Sequence, residues 1–141
     1  MITGLIKKLF HGVGNRDWES VISVFDENVL LDYSSMTGTP PSLLSPQKII
    51  DAWSSFLPGF DETNHQLSDF NISKEDNFTT VTFEGKAEHF IGNSVWIVEG
   101  DYFIKISNNN KVSLMKFNFR KQSGDIELPK KATEIIHNKI H

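Results

Sequence analysis

The fold is decided by residues 79–120, TTVTFEGKAEHFIGNSVWIVEGDYFIKISNNNKVSLMKFNFR. Apolar and polar side chains alternate through three segments of this stretch, as they do along β-strands. Gly92-Asn93 and Asn108-Asn109-Asn110 separate the segments, and both residue types tolerate the positive φ angles of tight turns. Short turns between long strands predict antiparallel hairpins. With one earlier strand, the predicted meander has strands at about 65–73, 79–91, 94–106 and 112–120.

The first third of the chain has helical periodicity instead. Ser45-Pro46 offers an N-cap and a first-turn proline for one helix. The sequence Thr-Gly-Thr-Pro-Pro predicts that Ser34–Ser45 has no regular structure. The other predicted elements are helices at 2–13, 17–25 and 46–56, a strand at 29–33 and a final helix at 128–141.

Helices followed by a long meander indicate an α+β protein. The concave face of a bent antiparallel sheet needs a cover, and the N-terminal helices are available for it. Such an arrangement leaves an internal pocket between helices and sheet. Because no repeat or linker divides the sequence, one domain over residues 1–141 is expected.

Composition excludes several functions. A net charge of −4 argues against nucleic acid as a partner. No apolar run approaches the ~20 residues of a membrane-spanning helix, so no membrane partner is expected. The absence of Cys excludes thiolate chemistry and fits a reducing, cytoplasmic location. Without phosphate-loop or metal-ligand motifs, no metal and no organic cofactor are expected.

His89 is the ionisable side chain on an otherwise apolar face of the predicted strand 79–91. One interpretation is a core histidine satisfied by a single hydrogen bond. The other is a polar group placed in a hydrophobic pocket, where desolvation keeps the imidazole neutral and able to act as a general base.

His65 and Tyr33 are the next candidates. His65 begins the strand before that of His89 and can lie beside it, although a surface position fits equally well. Tyr33 shares the parity of Val29 and Leu31, so its ring faces an apolar side. Its hydroxyl lies either at the rim of the core or within reach of a substrate carbonyl.

The predicted strand 94–106 is apolar on both faces, which indicates that both are covered, one by helices and the other by a second copy of the chain. Glu99 and Asp101 interrupt one of these faces. If these carboxylates are buried, they must be paired or contact a ligand. If they lie at a solvent-exposed rim, they need neither.

Short motifs spread over residues 2–120 match a known family. They are Asp17-Trp18, Phe25, Leu31-Asp32-Tyr33, Trp53, Thr63-Asn64-His65, His89, Trp96 and Gly100-Asp101-Tyr102. On these residues the chain resembles the SnoaL-like branch of the nuclear transport factor 2-like superfamily, and within it the scytalone-dehydratase-like pattern. The resemblance implies a cone-shaped barrel with an internal pocket, paired as a homodimer through the convex face of its sheet.

The resemblance also implies roles for residues. Tyr33 matches one of two tyrosines that hold a water on the substrate carbonyl, and His65 and His89 match the histidine pair that moves the protons. Val13 and Gly14 stand where the family pattern has its second tyrosine and the aspartate that orients a histidine. Scytalone is therefore not the expected substrate.

Glu99 matches an amide that contacts substrate, and it could also supply the acidic base that polyketide cyclases of the superfamily use. We therefore predict a cofactor-independent lyase or isomerase acting next to a carbonyl. The predicted catalytic residues are His65, His89 and Tyr33, and the predicted substrate contacts are Glu99, Asp101 and Trp53. Two alternatives remain: a non-catalytic binding module for a hydrophobic or aromatic ligand, and a dimeric scaffold whose own Phe and Trp side chains fill the cone.

Overall fold

Four long strands form the meander that the sequence predicts, in a computed structural model that describes residues 2–140. A short 3-10 turn, Leu57–Gly59, precedes them. The helices are α1 (Ile2–Asn15), α2 (Trp18–Val24), α3 (Ser34–Thr37), α4 (Pro46–Ser54) and α5 (Leu128–Ile140). The strands are β1 (Phe25–Asp32), β2 (Ser42–Leu44), β3 (Glu62–Lys74), β4 (Phe78–Ile91), β5 (Ser94–Ser107) and β6 (Val112–Gly124).

The six strands form one bent, open sheet in the order β2-β1-β6-β5-β4-β3. The predicted α+β class is confirmed, and each neighbouring pair in the β3–β6 meander is antiparallel. One pair lies outside this meander and was not predicted: β1 pairs with β6 in parallel. β1 reaches the sheet from α2 and joins the free edge of the last strand, a contact between distant parts of the chain.

Ser34–Ser45 is more regular than the sequence predicts. The amides of Met36 and Thr37 both donate to the Tyr33 carbonyl, which closes the single turn of α3. Gly38, at φ +77°, ends that turn. The chain then pairs β2 with β1. The two prolines therefore interrupt regular structure only between these elements.

The helices begin where the sequence places their caps. Ser45 Oγ accepts a hydrogen bond from the amide of Lys48, and Pro46 occupies the first turn of α4. Asp17 caps α2 in the same way through the amide of Ser20. The predicted C-terminal helix is present as α5, which buries Leu128 and Ala132; His141 lies outside the described residues.

Strand parity correctly separates the two faces of the sheet. The concave face carries buried apolar side chains that pack against α1 and α4, including Val81, Phe83, Val98, Ile104 and Met115. Among residues 2–140, no helix is long and apolar enough to cross a membrane.

Gly59 is the point where α5 packs on the 3-10 turn, and a Cβ there would overlap the backbone carbonyl of Ala132. We expect Gly59→Ala to lower the free energy of unfolding by about 1–3 kcal/mol or more, because backbone cannot move aside as a side chain can. Gly4→Ala is the matched control, since a Cβ at Gly4 meets nothing within 4 Å. It should stabilise α1 by up to about 1 kcal/mol. Urea unfolding of both variants checks this; equal effects would contradict it.

Candidate functional site

A cavity of about 440 Å³ lies between the concave face of the sheet, α1 and α4. Its walls are mainly apolar and aromatic, and exposed residues of the α3–β2 segment, among them Thr37, Thr39 and Ser42, form part of its lining. The cone is therefore not filled by its own aromatic side chains, and the prediction of a filled scaffold is wrong. Tyr33, Trp53, His65 and His89 all line this cavity, as does Tyr102.

His89 is 5% exposed and lies among aromatic rings, 4.5 Å from the Trp96 ring and 4.8 Å from the Phe60 ring between centroids. Its Nδ1 lies 3.1 Å from the Trp96 carbonyl oxygen. A carbonyl can only accept, so Nδ1 carries the proton and Nε2 keeps its lone pair. Burial lowers the pKa of His89 to about 4, with a smaller lowering from the Arg16 charge, while the hydrogen bond to Trp96 opposes the shift.

His65 faces the same cavity and packs on Phe10, with ring centroids 5.1 Å apart. Burial, with smaller contributions from the neighbouring His89 and Arg16, lowers its pKa to about 3. Nδ1 of His65 is buried and has no hydrogen-bond partner among the described residues. Buried N–H groups without an acceptor are rarer in proteins than acceptors without a donor, so we place the proton of His65 on Nε2. With this placement the two neutral imidazoles hold opposite tautomers.

The register between β3 and β4 brings the two histidines together. His65 pairs with Ala87, and Thr63 pairs with His89. The histidines are diagonal neighbours on one face of an antiparallel pair, a relation that typically separates Cβ atoms by about 7–8 Å or slightly less. One small molecule in the cavity can therefore contact both rings.

Two tyrosines lie on the same cavity. Tyr33 follows β1, and its hydroxyl interacts with the hydroxyl of Tyr102, from the middle of β5, in a way that lowers the pKa of Tyr33 and raises that of Tyr102. Burial raises the pKa of Tyr33 to about 12 and that of Tyr102 well above 10, so both hydroxyls keep their protons. Tyr102 stacks on Phe83 at 5.1 Å and contacts Phe117 at 4.8 Å between ring centroids, which fixes its ring.

Sequence reasoning missed Tyr102 as a functional residue. Two signals could have indicated it: its parity places it on the concave face with Trp96 and Val98, and it belongs to the Gly100-Asp101-Tyr102 motif. Gly85 lies diagonally to Tyr102 on the neighbouring strand β4, and a Cβ at Gly85 would lie 2.5 Å from the Tyr102 ring. The missing side chain at Gly85 gives this tyrosine its space.

Glu99 and Asp101 do not line the cavity, because both point to the convex face. Glu99 lies 3.6 Å from Lys121 Nζ, and Asp101 accepts a 2.6 Å hydrogen bond from Arg120. Their side chains are 24% and 50% exposed. The prediction that they contact substrate in the pocket is corrected by this placement, since they lie on the opposite face of β5 from Tyr102. Among residues 2–140, no group of three or more His, Asp or Glu side chains could hold a metal.

The bent, open sheet with a lined cavity beneath its helices is the α+β architecture that the sequence predicts. A family model, described as SnoaL-like domain, matches residues 1–107. The chain therefore belongs to the SnoaL-like family. No curated protein matches the sequence.

Solved structures are similar in fold. The Kfla4162 protein from Kribbella flavida is 18% identical with a TM-score of 0.85, covering 92% of this chain and 94% of that one. A putative scytalone dehydratase from Novosphingobium aromaticivorans is 15% identical (TM-score 0.72; 86% and 83% covered). The hexachlorocyclohexane dehydrochlorinase LinA-type3 from Novosphingobium barchaimii is 12% identical (TM-score 0.70; 88% and 90% covered). At these identities the likeness shows the fold alone.

The buried histidines make stability depend on pH. Their folded-state pKa values lie below the ordinary 6.5, so acid protonates the unfolded chain first. Their contribution is complete above about pH 6.5 and is lost as pH falls toward 4, by roughly 3 kcal/mol for each histidine. Asp17 and Asp32, whose pKa values lie below 3.8, lose their contributions only at lower pH. Urea unfolding between pH 7 and 4 measures the slope.

The double variant His65→Gln/His89→Gln is the comparison for that measurement. It should have lower stability at pH 7 but a much flatter dependence between pH 6.5 and 4, because the titrating groups are gone. An unchanged slope in the double variant would show that other groups cause the acid loss.

Proposed function

We propose that the cavity catalyses proton abstraction next to a carbonyl, followed by elimination or isomerisation, without a cofactor. The observation that carries the proposal is the His89–Trp96 hydrogen bond, which leaves a neutral Nε2 lone pair on the wall of an apolar cavity. Both solved structures named above for an activity, a dehydratase and a dehydrochlorinase, carry names of elimination reactions. They support the reaction class for this chain and do not identify a substrate.

His89 is the proposed base. Its Nε2 takes the proton from the carbon next to the substrate carbonyl, and the Trp96 carbonyl stabilises the imidazolium that results. The backbone carbonyl thus fixes which ring nitrogen of His89 carries the proton, as a carboxylate does in many sites. Burial disfavours the charged imidazolium, so His89 releases the proton readily.

Tyr33 is the proposed donor to the developing enolate oxygen. We infer that Tyr102 donates to the Tyr33 oxygen, because their interaction lowers the pKa of Tyr33 and raises that of Tyr102. Such a bond leaves the Tyr33 O–H for the ligand and strengthens it as a donor. The family pattern places its second tyrosine at the position of Val13, and here Tyr102 supplies a hydroxyl from β5 instead.

His65 is the proposed acid. Its Nε2–H protonates a leaving hydroxide, which departs as water, while the electrons of the broken C–H bond form the new double bond. A proton then passes from His89 to His65 through solvent and restores both neutral rings. Because the two histidines lie on one wall, the proton and the leaving group depart from the same face of the substrate.

The lining also limits the substrate class. Lys86 is the charged residue among those that line the cavity, and its parity directs its side chain to the convex face. Trp53 and the other aromatic rings offer flat apolar contacts. We therefore infer an uncharged, aromatic or alicyclic carbonyl compound.

Deuterium exchange tests the first step without the natural substrate. We expect the protein in D₂O to accelerate exchange at the α-carbon of an uncharged aryl ketone, α-tetralone, followed by proton NMR. His89→Gln should lower the rate by about 10²–10⁴-fold. Tyr33→Phe should lower it by about 10²–10³-fold, and Tyr102→Phe by less, because Tyr102 acts through Tyr33.

Glu99→Gln is the matched control, because it changes a carboxylate of the same sheet that faces away from the cavity. It should exchange at the wild-type rate. Loss of exchange in Glu99→Gln, or retention in His89→Gln, would refute the assignment. The apolar lining equally favours a binding module; saturable binding of the ketone without exchange would establish that alternative.

Pairing of two copies through the convex face stays a prediction. Ile97 and Phe103 are partly buried on that face, which also carries the Arg120–Glu84–Asp101 ion pairs. Light scattering should give a dimer mass, and Phe103→Asp should give a monomer. A monomeric wild-type protein would end this proposal and leave the cavity chemistry untouched.

A further inference from the structure

Arg16 occupies an unusual backbone position at the end of α1. Its amide donates to the Val13 carbonyl, and the next amide, of Asp17, donates to the Gly12 carbonyl. These two bonds form the Schellman motif, in which the residue after the helix adopts the left-handed conformation and is usually glycine. Arg16 has φ +59°, a left-handed conformation in which a residue with a Cβ is more strained than glycine.

The Arg16 side chain holds three parts of the fold together. One terminal nitrogen, Nη1, donates to the carbonyls of Val13 and Gly14, at 3.0 and 3.3 Å. The other, Nη2, donates to the Leu57 carbonyl at 2.7 Å and to Thr63 Oγ1 at 3.0 Å. The guanidinium therefore connects the end of α1 to the 3-10 turn and to the first residues of β3.

The strand that Arg16 holds carries the histidine pair. Thr63 is 6% exposed and pairs in register with His89, and His65 lies two residues further along β3. A shift of this end of β3 would move both the His65 ring and the partner of His89. The geometry thus ties the position of one side chain to both imidazoles.

The Arg16 charge is not neutralised by a carboxylate. Its hydrogen-bond partners are three carbonyls and one hydroxyl, and no ion pair of Arg16 occurs among residues 2–140. The side chain is half-buried, and desolvation lowers its pKa from 12.5 without removing the charge near neutral pH. An uncompensated positive charge beside the cavity disfavours a second one on a neighbouring imidazole.

Other charged groups face the histidines from the elements around them, and they must be considered with Arg16. A polar groove on the outer side of His65 is lined by groups from α1 and β3. The two tyrosines face the histidines from within the cavity. These groups are Lys7, His11, Glu62, Tyr33, Tyr102 and, for each histidine, the other ring. Arg16 differs from these in having a direct hydrogen bond to the strand that carries His65.

We propose that Arg16 is a positioning residue of the cavity, which fastens the start of β3 and thereby sets the positions of both His65 and His89. The catalytic consequence rests on the proposed function, since a neutral His89 is the base. The resonances of both rings can be measured without any ligand. Failure of this proposal is therefore distinguishable from failure of the proposed reaction.

The test is the long-range ¹H–¹⁵N spectrum of the imidazole nitrogens between pH 8 and 5 in wild type, Arg16→Gly and Arg16→Lys. Wild type should show two neutral rings of opposite tautomer for His65 and His89 throughout. Arg16→Gly relieves the left-handed backbone and removes the hydrogen bonds of the guanidinium, so the ring resonances of His65 and His89 should move while both rings stay neutral, because burial is the main cause of their low pKa values. Arg16→Lys keeps the charge but not the planar guanidinium, so it should move the same resonances.

Thr63→Val is the matched control, because it removes the hydroxyl acceptor and leaves the Arg16 charge and its carbonyl contacts. It should keep both rings neutral while moving the His65 resonances. If Arg16→Gly does not fold, Arg16→Gln replaces it. Wild-type nitrogen shifts of both rings in the folded Arg16 variant across the whole range would overturn the positioning role. Unmoved His65 resonances in Thr63→Val would overturn the fastening role.

Discussion

The whole structure depends on keeping water and charge out of the concave face of the bent sheet. β4 and β5 turn apolar side chains inward along their full length, and α1 and α4 cover them. Straight helices cannot follow a bent sheet everywhere, so the cover leaves a cavity among aromatic rings. Inside it, an ionised group without a partner would cost several kcal/mol. Every polar group there must be neutral, paired or directed at a ligand.

The two histidines meet this constraint in different ways. His89 is satisfied by the Trp96 carbonyl, and Trp96 is itself held by a 2.9 Å hydrogen bond from its indole nitrogen to Gln122. His65 is not satisfied, since its Nδ1 remains unpaired. Buried groups without partners are rare in stable proteins and concentrate where function requires them. This difference between the rings supports the proposed roles of His89 as base and His65 as acid.

Local sequence patterns predicted whatever depends on neighbouring residues. Alternation in 79–106 placed His89 on the apolar face, and Ser45-Pro46 marked the start of α4. Contacts between distant segments were beyond such patterns: the parallel pairing of β1 with β6, and the register that sets His65 beside His89. β5 shows the limit most clearly, because both of its faces are apolar. Parity correctly put Glu99 on one face and Tyr102 on the other, but only the packing of the helices decides which face encloses the cavity.

In the proposed function, Tyr102 meets one chemical requirement from a different part of the chain. The position that would carry a tyrosine in the family pattern holds Val13, which lines the cavity as an apolar residue. A hydroxyl reaches Tyr33 instead from β5, on a ring fixed by Phe83 and Phe117 and given space by Gly85. A pair of hydroxyls on one wall of a cavity is defined by geometry, and any strand that faces the cavity can supply a member. The absence of a motif residue at its usual position therefore does not remove the chemistry, provided that a second strand can present the same group to the same point.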